Sequence, residues 1–334
     1  MRIAINGFGR VGRLTLRQLI GMRKIEVVAV NDLTDNNTLA HLFKYDSAQG
    51  VFPATVNATE DHIKIGRRSI QTFNERDPAK LPWKKLKVDL VLECTGIFRT
   101  KEQAALHLSA GAKKVVISAP AKGEGVKTIV LGVNQNDLTA RDKIISNASC
   151  TTNCLAPLVQ IIDQNWGIVC GSMTTTHAYT SGQNLLDAPH RDLRRARSAA
   201  INIVPTSTGA ATAVALVYPP IAGKISAIAM RVPVVTGSVV ELNVVLDKPA
   251  SPEQVNAKFR SASKKHLKGI LEFSEAPLVS SDIIGNPSSS IFDSNLTQVS
   301  GNMLKVISWY DNEVGYAARL ADLAVLIGSL KPAR

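Results

Sequence analysis

The chain has 334 residues, enough for two domains of ordinary size with a large core and no need of disulfides or a structural metal. Hydrophobic residues make up 45% and charged residues 20%, which excludes a disordered chain, a collagen-like chain and a coiled coil. Lys plus Arg number 39 against 27 Asp plus Glu, a net charge of +12 that suits either a scattered basic surface or an anionic partner such as nucleic acid, an anionic membrane or a phosphorylated small molecule.

Residues 2–6 read as a strand, 10–22 as a helix with Val11, Leu14, Leu16 and Leu19 at helical spacing, and 25–31 as a second strand. Strand, helix and strand within about thirty residues is the size of a βαβ unit. Residues 35–44 continue as a helix, 51–73 as short broken strands, 88–93 as a buried strand and 101–110 as a helix that stops at Gly111. Further strands are predicted at 115–118, 128–131 and 144–145. This alternation predicts an α/β, doubly wound, mostly parallel sheet with helices on both faces. The second half differs. A helix over 151–164, loosened at Pro157, is followed by long β stretches at 167–177, 225–233, 238–246 and 303–310, which predicts an α+β domain with a mostly antiparallel sheet. Residues 181–201 are basic and irregular, and 313–330 read as a last amphipathic helix.

Four cysteines, Cys94, Cys150, Cys154 and Cys170, are too few for a disulfide scaffold and lack the paired spacing of a zinc site. Free thiols in a reducing compartment follow, and no metal is expected. No apolar leader precedes residue 7 and no run of about 18 apolar residues occurs, so a cytoplasmic protein without a membrane span is expected.

Gly7, Gly9 and Gly12 form a GxGxxG pattern between a predicted strand and a predicted helix, and Asp32 ends the next strand. Each part has a job in holding a dinucleotide: Gly7 for the tight turn, Gly9 for close approach of the pyrophosphate, Gly12 for helix packing, and the acid for ribose hydroxyls. Asp32 would repel a 2′-phosphate, which favours NAD over NADP.

Ser149-Cys150-Thr151-Thr152 sits where a strand gives way to a helix. A thiol at a helix start is activated by the dipole and by unpaired N–H groups, which also suit an oxyanion beside the sulfur. Its polar neighbours set Cys150 apart from Cys94 and Cys170, which read as core thiols, and from Cys154, four residues on along the same helical face, which reads as a core thiol or else a resolving thiol for oxidation. A nucleophilic Cys needs a base, and His177, at the end of a Thr run, is the most site-like of the six histidines. Arg191, Arg194, Arg195 and Arg197 form a basic run, Thr206 to Ala210 is a hydroxyl- and Gly-rich turn at a predicted helix start, and Arg231 interrupts an apolar strand. All three features suit anions.

Assembled, these pieces resemble the phosphorylating family of glyceraldehyde-3-phosphate dehydrogenases from end to end. The blocks that carry the resemblance include INGFGRVGR (5–13), SNASCTTNCLAP (146–157), HAYT (177–180), RDLRRARSAA (191–200), TSTGAA (206–211), RVPVVTGSV (231–239) and SWYDNEVGY (308–316). The resemblance implies a Rossmann NAD-binding domain over 1–149, a catalytic domain over 150–312 and a C-terminal helix over 313–334 that returns to the first domain. It implies that Cys150 attacks the aldehyde of D-glyceraldehyde 3-phosphate and that His177 lowers the thiol pKa and acts as base. Inorganic phosphate then releases 1,3-bisphosphoglycerate from a thioester. The C3-phosphate would fall at Thr180 and Arg231, the attacking phosphate at Ser149, Thr151, Thr208 and Gly209, with Arg195 between. Cofactor contacts would fall at Arg10, Val11, Asp32, Arg76 and Ser118, with Asn312 on the nicotinamide carboxamide. The 181–201 segment resembles the loop that crosses to a neighbouring subunit in a homotetramer.

Erythrose-4-phosphate dehydrogenases share the Cys block, but His177 to Thr180 and Thr208 to Ala211 side with the glyceraldehyde-3-phosphate enzymes. A binding role, to nucleic acid or in surface adhesion, is permitted by the charge. The sequence carries no helix-turn-helix, zinc-finger or RNP pattern, so nucleic acid is not required and remains a secondary partner.

Overall fold

Val27 to Val30 are apolar without a break, and they lie in the second strand of a nine-stranded sheet in the computed structural model, which describes residues 1–330. The described chain falls into two compact units: 1–129 with 136–148 and the chain from 317 onward, and 130–135 with 149–316.

In the first unit β1 (Arg2–Asn6), α1 (Arg10–Leu19), β2 (Glu26–Asn31) and α2 (Asn36–Lys44) lead into three short strands, β3 (Val56–Ala58), β4 (His62–Ile65) and β5 (Arg68–Phe73). Then come β6 (Leu90–Glu93), α3 (Lys101–Ser109), β7 (Lys114–Ile117), β8 (Lys127–Thr128) and β9 (Ile144–Ser146). The sheet order is β3-β4-β5-β2-β1-β6-β7-β9-β8, parallel except for the β3–β4–β5 meander. Strand order reverses at β1, the position where open α/β sheets leave a crevice at their carboxyl ends. The strand expected over 128–131 is only Lys127–Thr128, and Ile129 to Leu131 are buried outside any strand.

The second unit opens with α4 (Cys150–Trp166) and β10 (Ile168–Ala178), followed by β11 (Val204–Thr206), α5 (Ala210–Val217), β12 (Ile225–Val232) and β13 (Ser238–Leu246). It continues with α6 (Pro252–Lys264), β14 (Leu271–Ser274), β15 (Ser290–Ser300) and β16 (Met303–Tyr310). The seven strands lie in the order β11-β12-β10-β13-β16-β15-β14. Most pairs are antiparallel, but β10 runs parallel to β12, which sets His177 beside Arg231 in register. The sheet is therefore mixed: β12 returns to lie beside β10 through α5 rather than by a hairpin, and β14 and β15 are also parallel.

Ser149 caps α4 by accepting the Thr152 N–H at 3.1 Å, and Gly167 at φ +70 stops it. The helix continues through Pro157, whose loss of one N–H is outweighed by the buried apolar row Leu155, Leu158, Val159 and Ile162. The last helix, α7 (Val314–Ser329), has its first turn in the second unit and the remainder, from Ala317, in the first. Residues 331–334 of the expected 313–334 segment lie outside the described residues. Among the described residues no helix is long and apolar enough to cross a membrane.

Candidate active site

In the first unit β1 delivers Asn6 to Gly7, which holds φ +89 with its Cβ position 2.6 Å from the Thr95 nitrogen, so no side chain fits. A Cβ on Gly12 would lie 2.2 Å from the Gly7 carbonyl, which shows how closely α1 starts on the turn. Gly9 differs. It caps α1 without a side-chain hydrogen bond, and nothing lies within 4 Å of where its Cβ would be. No packing demands glycine there. The open space above an uncapped helix start has the shape and polarity that a pyrophosphate needs.

A hollow of about 480 Å³ adjoins this turn, lined by Gly7, Gly9, Asp32, Arg76, Thr95 and Phe98 among others. One Asp32 oxygen accepts the Phe8 N–H at 2.7 Å and the other the Thr34 N–H at 3.0 Å, so the carboxylate is fixed at the rim with acceptor capacity left for ribose hydroxyls. The first-turn residues Arg10 and Val11 lie partly buried, with the Arg10 guanidinium on buried Asp46 at 2.6 Å. Ser118 follows β7 and donates its N–H to the Glu93 carbonyl at 2.9 Å. The residues present therefore fit a dinucleotide. A larger hollow of about 830 Å³, between Lys101, Leu108 and Arg141, holds neither the glycine turn nor a thiol.

In the second unit Cys150 is the first residue of α4, and its Sγ stands 3.5 Å from His177 Nε2. Arg231 Nη1 lies 2.6 Å from His177 Nδ1 and donates to the Ala178 carbonyl at 3.0 Å. That carbonyl is itself 2.7 Å from Nδ1. These partners make opposite demands, since a guanidinium only donates and a carbonyl only accepts. With Nδ1 protonated, the Nε2 lone pair faces sulfur. With Nε2 protonated, Arg231 donates to Nδ1.

Burial, and then the Arg231 charge, push the His177 pKa down from 6.5 to about 3, so the ring is neutral at neutral pH. Burial raises the Cys150 thiol above its ordinary value. Arg231 opposes that rise most, followed by the Thr151 hydroxyl and the N–H groups at the helix start. The cation that favours the thiolate is thus Arg231, whereas the family resemblance implied His177 for that role.

The model of the glyceraldehyde 3-phosphate dehydrogenase NAD binding domain matches residues 1–101, and that of the C-terminal domain of the same family matches 149–312. The chain belongs to the glyceraldehyde-3-phosphate dehydrogenase family. It is 56% identical over 335 residues to the glyceraldehyde-3-phosphate dehydrogenase of Mycobacterium avium, with 98% of each chain covered. It is equally 56% identical, over 330 residues, to that of Thermotoga maritima, again with 98% of each covered. Glyceraldehyde-3-phosphate dehydrogenase 2 of Streptomyces avermitilis is 53% identical over 332 residues, 98% of this chain and 99% of its own.

Arg195 donates to Thr206 at 2.6 Å and lies close enough to Arg231 for the two charges to repel. Thr208 accepts the Ala210 N–H at 3.2 Å, and Gly209 starts α5 with no side-chain cap and open space at its Cβ position. Ser149 is committed to its helix cap, with its hydroxyl 2.7 Å from that of Thr152. Thr180 is exposed beyond β10 and donates its N–H to Gln183 Oε1 at 3.3 Å. Asn312 is buried, and its Oδ1 accepts from Gly237 N at 3.1 Å and Ser238 Oγ at 2.9 Å.

Two residues of the thiol site were not foreseen. Tyr310 OH bridges the hydroxyls of Thr151 at 2.9 Å and Thr175 at 2.8 Å, and its ring stands edge-on to His177. Tyr310 sits inside the SWYDNEVGY block, so a signal existed, but nothing in that string says which way the ring faces. Among the other thiols, Cys154 is fully buried with its pKa pushed up to about 12, a core thiol. Cys94, expected in the core, lines the dinucleotide hollow. Cys170, also expected there, is exposed, because an irregularity between Ile168 and Cys170 leaves it on the outer face of β10.

Proposed function

We propose that the chain oxidises D-glyceraldehyde 3-phosphate to 1,3-bisphosphoglycerate with NAD and inorganic phosphate. The observation that carries this reading is the 3.5 Å contact between Cys150 Sγ and a neutral His177 at the start of a helix. That is a nucleophile beside its base. Cys150 attacks C1 of the aldehyde: an S–C bond forms, and the thiol proton travels by Nε2 to the carbonyl oxygen, giving a hemithioacetal. His177 then takes that hydroxyl proton as the C1–H electron pair leaves as hydride, and a thioester remains. NAD, when bound, supplies the acceptor for the hydride. Phosphate adds to the thioester carbonyl and the S–C bond breaks to thiolate and acyl phosphate. The N–H groups opening α4 stabilise the oxyanion beside the sulfur at each stage.

Base work by Nε2 requires the Nδ1–H form of His177, with Ala178 as acceptor. Arg231, paired with Thr180, is assigned to the C3-phosphate. Its move to that anion removes the competing donor from Nδ1. The attacking phosphate is assigned to Ser149, Thr151, Thr208 and Gly209, with Arg195 between the two anions. On the cofactor, the pyrophosphate is assigned to Gly7 through Gly12 with the main chain of Arg10 and Val11, and the adenosine half to Asp32 and Arg76. The nicotinamide half is assigned to Ser118 and Asn312. The occupied Oδ1 of Asn312 leaves its NH₂ to donate to the carboxamide.

A cytoplasmic homotetramer is part of this reading. The assembly, though not the location, is supported by Leu185, Leu186, Leu193 and Ile201, each more than 70% exposed on the irregular basic segment, which suits a subunit contact. Light scattering on the purified chain tests it.

The activity is tested by following reduced-nicotinamide absorbance with D-glyceraldehyde 3-phosphate, NAD and phosphate, with Cys150→Ser alongside. Phosphate-dependent turnover lost in the variant is expected. Turnover only with erythrose 4-phosphate, or none from folded protein with a reduced thiol, overturns the proposal.

A further inference from the structure

Glu93 ends β6 and is only 1% exposed; against it lies the fully buried His107 of α3, and against His107 the fully buried Trp83. An ionised carboxylate removed from water is costly, and an apolar residue of similar size would serve a core better. Here every oxygen is engaged. Oε2 accepts from Asn6 Nδ2 at 2.6 Å and from His107 Nε2 at 3.0 Å. Oε1 accepts the Thr95 N–H at 2.8 Å and the Thr95 hydroxyl. Acceptance at both oxygens is the carboxylate role.

The far side of His107 fixes its tautomer. Trp83 Nε1 lies 3.0 Å from His107 Nδ1, and an indole N–H can only donate. Nδ1 is therefore the acceptor, the proton is on Nε2, and that N–H is the one given to Glu93. The direction of every bond from Trp83 to Glu93 is determined by one donor-only group.

We propose that Glu93, His107 and Trp83 form a buried relay that positions the dinucleotide turn, an inference that rests on the cofactor reading above. Glu93 holds both sides of the crevice at once. Asn6 immediately precedes Gly7, and the Cys94–Thr95 peptide is the surface on which Gly7 rests, with a would-be Cβ 2.6 Å from the Thr95 nitrogen. The relay reaches the adenosine side as well. Asn6 Oδ1 accepts from Asn31 Nδ2 at 2.7 Å, and Asn31 bonds both main-chain groups of Glu75 at 2.9 Å, next to Arg76. Asn6, Asn31, Glu75 and Thr95 all line the hollow, whereas Glu93, His107 and Trp83 lie behind it. The three are positioning residues, acting through the four that face the ligand.

The test is calorimetric titration of the whole purified chain with NAD, together with separate KM values for NAD and for the aldehyde. Glu93→Gln presents an NH₂ either to the donors of Asn6 and His107 or to the Thr95 N–H, which then lacks an acceptor. NAD Kd and KM are expected to rise about tenfold, equivalent to about 1.4 kcal/mol, with the aldehyde KM within about twofold. His107→Leu should weaken NAD similarly. His107→Gln, which keeps one acceptor for the indole and one donor for Glu93, should restore most of the affinity. If Glu93→Gln does not fold, the two His107 variants decide. Unchanged NAD affinity in folded Glu93→Gln or His107→Leu overturns the relay, as does equal weakening in His107→Gln and His107→Leu. Loss of folding in Glu93→Gln and His107→Leu alike assigns the cluster to stability and also overturns it. Wild-type protein that binds no NAD overturns the cofactor reading itself, an outcome distinct from wild-type binding with indifferent variants.

Discussion

The Arg231 guanidinium stands 2.6 Å from His177 Nδ1, on the opposite edge of the ring from the Cys150 sulfur. Parallel pairing of β10 with β12 puts the two residues in register, so this contact is built into the sheet. Arg231 can donate to both Nδ1 and the Ala178 carbonyl, which leaves neither unpaired when the ring carries its proton on Nε2. In the unliganded protein the Nε2–H form is expected, and Arg231→Gln is expected to favour Nδ1–H with Ala178 as acceptor. Nitrogen-15 chemical shifts of the His177 ring separate the two forms. A wild-type ring already in the Nδ1–H form would contradict the assignment.

The same variant has a kinetic signature. Arg231 lowers the pKa of the Cys150 thiol, so its removal raises that pKa and slows alkylation of Cys150 at neutral pH. With the C3-phosphate on Arg231 as proposed, the substitution also removes a charge-assisted bond worth about 1.5–3 kcal/mol. The aldehyde KM should rise roughly 10- to 100-fold. Alkylation rates across pH and initial-rate kinetics check both effects. An unchanged aldehyde KM removes Arg231 from the phosphate site.

His177 also links stability to acidity. In the unfolded chain its pKa is near 6.5, and in the folded protein it is about 3. Between these values the unfolded state takes up a proton that the folded state refuses. This contribution is complete above pH 6.5 and is lost as pH falls toward 3, at up to about 1.4 kcal/mol per pH unit. His177→Asn should therefore lose less stability than wild type when urea unfolding is compared at pH 7 and pH 5. Parallel losses in the two proteins would contradict the buried neutral ring.

Tyr310 joins two hydroxyls through one oxygen. Tyr310→Phe keeps the ring against His177 and leaves two buried hydroxyls without that partner, at a cost of about 1–3 kcal/mol. Thr175→Val removes one of the same bonds. The double variant should cost clearly less than the sum of the singles, because both changes break a shared contact. Additive losses in denaturant unfolding would mean that Tyr310 and Thr175 act separately.

How much of this was legible in the sequence depends on how local each signal is. The turn from Asn6 to Gly12 and the thiol at the start of α4 are local, because a glycine spacing and a helix cap declare themselves within a few residues. The α6 helix carried an equally local signal, Ser251 with Gln254 as a capping box and Val255, Phe259 and Ala262 on one face. The β-rich sequence on either side of it masks that signal. The β15 strand was hidden because Ser290, Asp293 and Ser294 are polar yet buried, which breaks the expected alternation. The Glu93–His107–Trp83 cluster joins residues far apart in the chain through side-chain donors, and no spacing rule brings them together. The misplacement of Cys170 came from one irregularity in β10, since a shift of one residue moves a side chain to the other face.

Gly7 and Gly9 separate a structural glycine from a functional one. Gly7→Ala demands a positive φ of an L side chain and drives its Cβ into the Thr95 main chain, which cannot yield as a flexible side chain can. Strain plus overpacking should destabilise the first unit by about 2–4 kcal/mol. Gly9→Ala meets nothing within 4 Å and keeps an ordinary backbone angle, so its melting behaviour should stay within about 0.5 kcal/mol of wild type. Its methyl group would nonetheless occupy the space where the pyrophosphate approaches α1, and NAD affinity should fall at least about tenfold. Thermal unfolding and NAD titration of the two variants check the contrast. Full NAD affinity in a stable Gly9→Ala would move the pyrophosphate away from this helix start.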